Sequence, residues 1–218
     1  MLPQRLLLIG LLLKWLRRKP STLSAKNHLL KVLQMQGQWL VQSTLLGKLL
    51  MVHENFRWQS AIRAVIEELR KGTIGEPFFG RVSFRSGFDV FSGQPYLAEG
   101  KRFIIEDLGI HILDIARALL GDVVRISATT RRINPFIRGE DVATMFLEHT
   151  GGASCIVDCS YATRRQVEAF PESIIEVDGD KGTLSLDLGY KMTVQANGQS
   201  KTKGSVASSA AMGFQTMA

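Results

Sequence analysis

From Val123 to Gln195 the chain is a succession of short runs rich in apolar and β-branched residues, each closed by a turn signal. The runs are Val123–Arg132, Val142–His149, Ala153–Tyr161, Ser173–Asp178, Thr183–Asp187 and Lys191–Gln195. Thr150-Gly151-Gly152 joins the second to the third as a short hairpin, and Asp178-Gly179-Asp180-Lys181-Gly182 turns the fourth into the fifth. Two helical segments precede them. Gln59 to Arg70 places Ile62, Val65, Ile66 and Leu69 at helical spacing and ends on Lys71-Gly72, a C-cap signal. A second apolar stripe, Leu113, Ala116, Leu119 and Leu120, follows Asp107 and stops at Gly121. Leu49–Val52 reads as a short strand and Phe78–Phe88 as a longer alternating one. Residues 89–105, with Gln94-Pro95-Tyr96, read as a loop. Helices followed by a run of strands predict an α+β fold: an open, mainly antiparallel mixed sheet with helices packed on one face.

The 218 residues, 45% of them hydrophobic, can bury one good core. The net charge of +7 would suggest an anionic partner, but it is unevenly placed. Residues 1–48 hold eight Lys and Arg and no acid, whereas residues 49–218 carry −1. The main body is therefore nearly neutral. The expected organisation is an atypical basic segment over 1–48, the main domain over 49–196 and a loose Ser/Ala/Gly/Lys tail over 197–218. Leu6–Leu13 is too short to span a bilayer, and the basic residues Arg17, Arg18 and Lys19 follow it, unlike a signal peptide. A cytoplasmic protein is expected. Cys155 and Cys159 fit neither a redox nor a zinc spacing and read as buried strand residues.

The chemistry-bearing stretch is Glu106-Asp107-Leu108-Gly109-Ile110-His111. On a helix, Asp107 and His111 share a face. A carboxylate there fixes the imidazole tautomer and raises its basicity, which makes an acid/base pair. The competing reading is structural, with Asp107 capping the helix and His111 lining its polar side.

Four motifs recur in a known order. They are Val52-His53-Glu54-Asn55-Phe56-Arg57-Trp58, then Ile74-Gly75-Glu76-Pro77-Phe78, then Asp107 to Asp114, then Asp178-Gly179-Asp180-Lys181-Gly182-Thr183-Leu184. In this the stretch from Met51 to about Val194 resembles the C-terminal, substrate-binding domain of the Gfo/Idh/MocA oxidoreductases. The resemblance implies an enzyme using NAD or NADP, held by an N-terminal Rossmann domain. It implies hydride exchange with a sugar, polyol or related secondary alcohol or ketone. His111 and Asp107 fall on the family's catalytic pair, with His111 as general acid/base. Asn55, Arg57, Gln94 and Tyr96 are the expected substrate-side residues. The family's open sheet also implies a homo-oligomer packed face to face.

The departures are as informative. No strand–GxGxxG–helix unit is present, so no cofactor-binding residue is assigned and the chain alone is expected to bind no dinucleotide. The family's Glu-Lys-Pro motif is absent too. A shifted reading frame offers a reason: codons bridging Ser24-Ala25 through Leu29-Leu30 permit Cys-Glu-Lys-Pro-Leu-Ala, which is the family motif at its usual place before His53. Residues 1–48 are thus expected to be a remnant or a frame-shifted Rossmann end. A truncated, inactive enzyme is the expectation, and a catalytically inactive association module derived from the same family is the alternative. No metal is expected, since Asp107 and His111 lack a third ligand from His28, His53 or His149. Arg131-Arg132 and Arg164-Arg165 have no interleaved aromatics, so nucleic acid is not expected as a partner, nor is a membrane.

Overall fold

A computed structural model of the chain describes Val41, Leu45, Leu46, residues 55–168 and residues 170–204. The chain divides into two compact units, Met1–His53 and Glu54–Ala218, and the elements below belong to the second. The expected strand at Leu49–Val52, the character of residues 1–48 and the end of the tail beyond Gly204 lie outside the described residues.

A 3-10 turn at Phe56–Trp58 leads into α1 (Ser60–Arg70), whose Ala61, Ile62 and Val65 are buried and whose Ile66 and Leu69 flank them. That is the helical spacing the sequence shows. Gly72, at φ +69°, ends the helix in the left-handed conformation that suits a residue without Cβ. β1 (Pro77–Arg85) follows, then two one-turn helices, α2 (Val90–Gly93) and α3 (Tyr96–Glu99). The stretch read as a loop thus carries short helices, the first started by Asp89, whose carboxylate accepts from the Phe91 and Ser92 backbone N–H groups. A π-helical turn at Ile105–Gly109 runs directly into α4 (Ile110–Leu120), which Gly121 closes at φ +87°.

Seven strands complete the sheet: β2 (Val123–Arg131), β3 (Val142–His149), β4 (Ser154–Ser160), β5 (Ile174–Gly179), β6 (Gly182–Asp187), β7 (Lys191–Ala196) and β8 (Gln199–Lys203). Their order is β2-β3-β4-β1-β5-β6-β7-β8. All neighbouring pairs are antiparallel except β1 with β4, so the sheet is open and mixed, in an α+β fold. β8 corrects the expected boundary of the tail. Its residues are all exposed and polar, so no apolar alternation announces it, yet it pairs along β7.

α1 and α4 pack together on one face of the sheet, where Val82, Phe84, Met145, Leu147, Val157, Ile175, Leu184 and Ile112 join a single buried cluster. Gly80 lets α4 approach: a Cβ there would stand 2.6 Å from Leu120 Cδ1. The Gly75-Glu76-Pro77 turn and the Asp178–Gly182 turn are one interlock. Glu76 N–H donates to Asp180 Oδ1 (2.8 Å), Asp180 N–H to the Glu76 carbonyl (3.1 Å) and Lys181 N–H to the Ile74 carbonyl (2.9 Å). Two of the four recognisable motifs are therefore scaffold. No helix among the described residues is long and apolar enough to cross a membrane.

Candidate active site

The start of α4 is held from two sides. The Ile104 N–H donates to the Glu140 carbonyl (3.0 Å) and the Phe103 N–H to Glu140 Oε1 (3.3 Å), so the loop before β3 supplies acceptors to donors that a helix start leaves unpaired. Phe103, Val90 and Ile137 form a small buried cluster beside it, with Phe91, Leu97 and Tyr161 against them. From this anchored start the π turn carries Asp107 and the first turn of α4 carries His111. Single π turns inside helices are frequent at functional sites.

Asp107 is not a cap. It stands inside the π turn, and neither the turn nor α4 has a side-chain cap at its first residue. The capping explanation of this carboxylate is thereby removed. Burial raises the Asp107 pKa above the ordinary carboxylate value, and the nearby His111 opposes that rise. His111 is half-buried and lies flat on Phe56, with ring centroids 4.2 Å apart and planes within 10°. Beyond Phe56, Phe84 reaches both Tyr161 and Phe170, forming an aromatic wall under this end of the sheet.

Tyr161 was not among the residues singled out from sequence. It stands just past the end of β4, stacked on Phe103 at 5.5 Å, and Phe103 in turn accepts the Asp107 N–H through its carbonyl (2.9 Å). Burial first, then the negative charge of Asp107, raises the Tyr161 pKa. The phenol therefore lies within reach of the carboxylate's charge. An aromatic residue with a polar tip, placed directly after a strand, was the available signal for it.

The remaining sequence-derived residues are placed differently. Arg57 is taken up by Asp114: its Nε and Nη2 donate to the two carboxylate oxygens, and Nη2 also donates to the Asp114 carbonyl at 3.3 Å. Asn55 begins the 3-10 turn, with its carbonyl accepting from Trp58 N–H (3.0 Å) and its side chain making no capping bond. Gln94 and Tyr96 are exposed and bond each other, the phenol donating to Gln94 Oε1. The structure thus gathers Asp107, His111 and Tyr161 and braces them with Phe56 and Glu140, while Gln94 and Tyr96 form a separate exposed pair. A shallow cleft of about 320 Å³ lined by Ile66, Leu69, Pro77 and Leu119 contains none of these residues. Among the described residues no three His, Cys, Asp or Glu side chains gather as a metal-ligand set.

A part-buried carboxylate beside an imidazole is suited to moving a proton to and from a bound hydroxyl. Residues 62–185 match the family model described as the GFO/IDH/MocA C-terminal domain. A D-apiose dehydrogenase of Rhizobium rhizogenes is 66% identical over 145 residues, 66% of this chain and 42% of that protein. A D-apiose dehydrogenase of Paraburkholderia graminis is 60% identical over 156 residues, 72% of this chain and again 42% of that protein. The crystal structure of an oxidoreductase from Agrobacterium radiobacter, in complex with NAD+, L-tartaric acid and magnesium, is 59% identical. It superposes with a TM-score of 0.73, covering 74% of this chain and 47% of that one. The chain spans less than half the length of these relatives.

Proposed function

The chain belongs to the GFO/IDH/MocA family, and on that premise we propose that its described domain is the substrate side of an NAD(P)-dependent sugar dehydrogenase. The reaction class is the exchange of hydride between a nicotinamide and a secondary alcohol or ketone of a sugar or polyol. The activity of the two D-apiose dehydrogenases makes D-apiose the first substrate to test. The reading is carried by the Asp107–His111 pair, with Asp107 in the π turn, part-buried and free of any capping duty, and His111 in the first turn of α4. In oxidation, the imidazole accepts the proton leaving the substrate hydroxyl, and the Asp107 carboxylate stabilises the imidazolium that forms. In reduction the same imidazole returns the proton.

Among the described residues no glycine-rich turn joins a strand to a helix, so the pyrophosphate of a dinucleotide finds no cradle there. These residues do not fit the cofactor. Calorimetric titration with NAD+ and NADP+ should give no saturable heat in the micromolar range, and such heat would overturn this part. For the substrate, side-chain NMR of His111 during titration with D-apiose should show a saturable shift that Asp107→Asn weakens. An unmoved His111 at saturating sugar refutes the substrate-side reading.

A second reading is supported by the open face of the sheet, where Phe146 is 43% exposed beside half-buried Phe79 and Ile156. We propose that this face closes on a second copy of the chain, in an active or an inactive assembly. Light scattering that returns a monomer at all concentrations would sink it. The cytoplasm is the proposed compartment.

A further inference from the structure

Two consecutive residues of the 3-10 turn grip one face of α4. Phe56 stacks on His111, and Arg57 forks onto Asp114, three residues further along the helix. Phe56 is 8% exposed and belongs to the core, while Arg57 and Asp114 keep 30% and 23% of their side chains open to solvent. We propose that Phe56, Arg57 and Asp114 form a two-point latch that sets the position of the His111 ring, with Arg57 and Asp114 acting as positioning residues through Phe56. The chemistry assigns each contact a different part. The guanidinium–carboxylate fork is planar and bidentate, so it fixes the angle of the turn against the helix as well as its distance. With that angle fixed, the Phe56 ring is carried across the imidazole plane. The stack then holds the imidazole against rotation about its χ angles, and a proton-transfer group gains rate from being held in its productive orientation. Arg57 serves here as a strut, which explains how a residue expected to meet substrate is occupied by a helix side chain instead.

The latch matters because of the acid/base role proposed for His111, but it can be read separately. Protons above the face of an aromatic ring resonate upfield, so the His111 Cε1–H signal in a 13C-edited spectrum of the full chain reports the stack. The chain has four histidines, and the signal is assigned by its loss in His111→Gln. Phe56→Leu should abolish the upfield displacement. Asp114→Asn and Arg57→Met keep the Phe56 side chain but remove the fork that orients it, and each should move the signal most of the way to the Phe56→Leu position. If Phe56→Leu does not fold, the histidine signals of the urea-unfolded chain provide the unstacked reference. A His111 signal that stays at its wild-type position in both Asp114→Asn and Arg57→Met overturns the latch, since the stack would then stand without the fork. That outcome leaves the sugar response of His111 intact. Conversely, a His111 deaf to sugar yet sensitive to Asp114→Asn sinks the substrate-side reading and keeps the latch.

Discussion

Gly179→Ala separates scaffold from site within the recognisable motifs. A Cβ at Gly179 would stand 2.2 Å from the Ile74 carbonyl oxygen and 3.0 Å from its carbon, both backbone atoms that cannot swing aside. Relieving the clash pushes the Asp178–Gly182 turn off the Ile74–Pro77 turn. Two backbone bonds are at stake, Lys181 N–H to Ile74 and Asp180 N–H to Glu76. Each contributes about 0.5–1.5 kcal/mol net, and overpacking a closed site costs about 1–3 kcal/mol. These contributions overlap, so the expected loss is about 2–5 kcal/mol, or roughly 5–15 °C in Tm for a domain of this size. Thermal and urea unfolding of the full chain measure it, with the urea slope unchanged if the native state stays compact. The sugar-dependent shift of His111 should persist below the new Tm, because the interlock lies among neither Asp107, His111 nor Tyr161. A loss within about 0.5 kcal/mol, the ordinary surface range, would show that the turns are not an interlock. A normal Tm with the sugar response gone would place the motif in the site.

Three other outcomes follow from the structure. Asp107→Asn should stabilise the chain at neutral pH: burial raises the folded-state pKa, so the stability Asp107 contributes is present below its unfolded value of 3.8 and lost as pH rises through the folded one. The neutral amide escapes that loss, and its advantage in denaturant midpoint should vanish below about pH 4. His149, 2% exposed with Nδ1 on the Gly121 carbonyl at 2.9 Å, has its pKa lowered from 6.5 by burial. Its contribution is complete above that unfolded value and lost as pH falls toward the folded one, so urea midpoints should drop on acidification, less so in His149→Gln. Burial pushes the Cys155 and Cys159 thiols up to about 12. Both should resist a thiol reagent in the folded chain and react on unfolding, as a timed mass-spectrometric labelling would record.

The sequence is legible where burial alternates and opaque where the backbone does the work. α1 could be read from Ile62, Val65, Ile66 and Leu69 because one face of it is buried, and the β3–β4 hairpin because Gly151-Gly152 separates two apolar runs. β8 has no buried side chain, yet its turn was written in plain form. Asn197 and Gly198 adopt φ of +54° and +71°, the pattern that Asn-Gly favours in two-residue hairpins. The Asp107–His111 spacing was visible, but not the π turn, which depends on Glu140 and the Phe103 cluster arriving from elsewhere. For the same reason neither Tyr161 stacked on Phe103 nor Asp114 on Arg57 follows from local pattern, since each is a contact between distant segments.

The place of β1 has a kinetic consequence. β2, β3 and β4 form one meander and β5 to β8 another, each built from neighbours in sequence whose loops close cheaply. β1 is made before either and touches both, antiparallel to β5 and parallel to β4. Two regions can therefore nucleate independently, and the late event is their fusion along a shared template strand. Cutting the chain in the 161–173 connection and joining it elsewhere would leave each meander's own pairings untouched. The rate of folding should then track how quickly β1 finds β5, the pair with the longest loop to close.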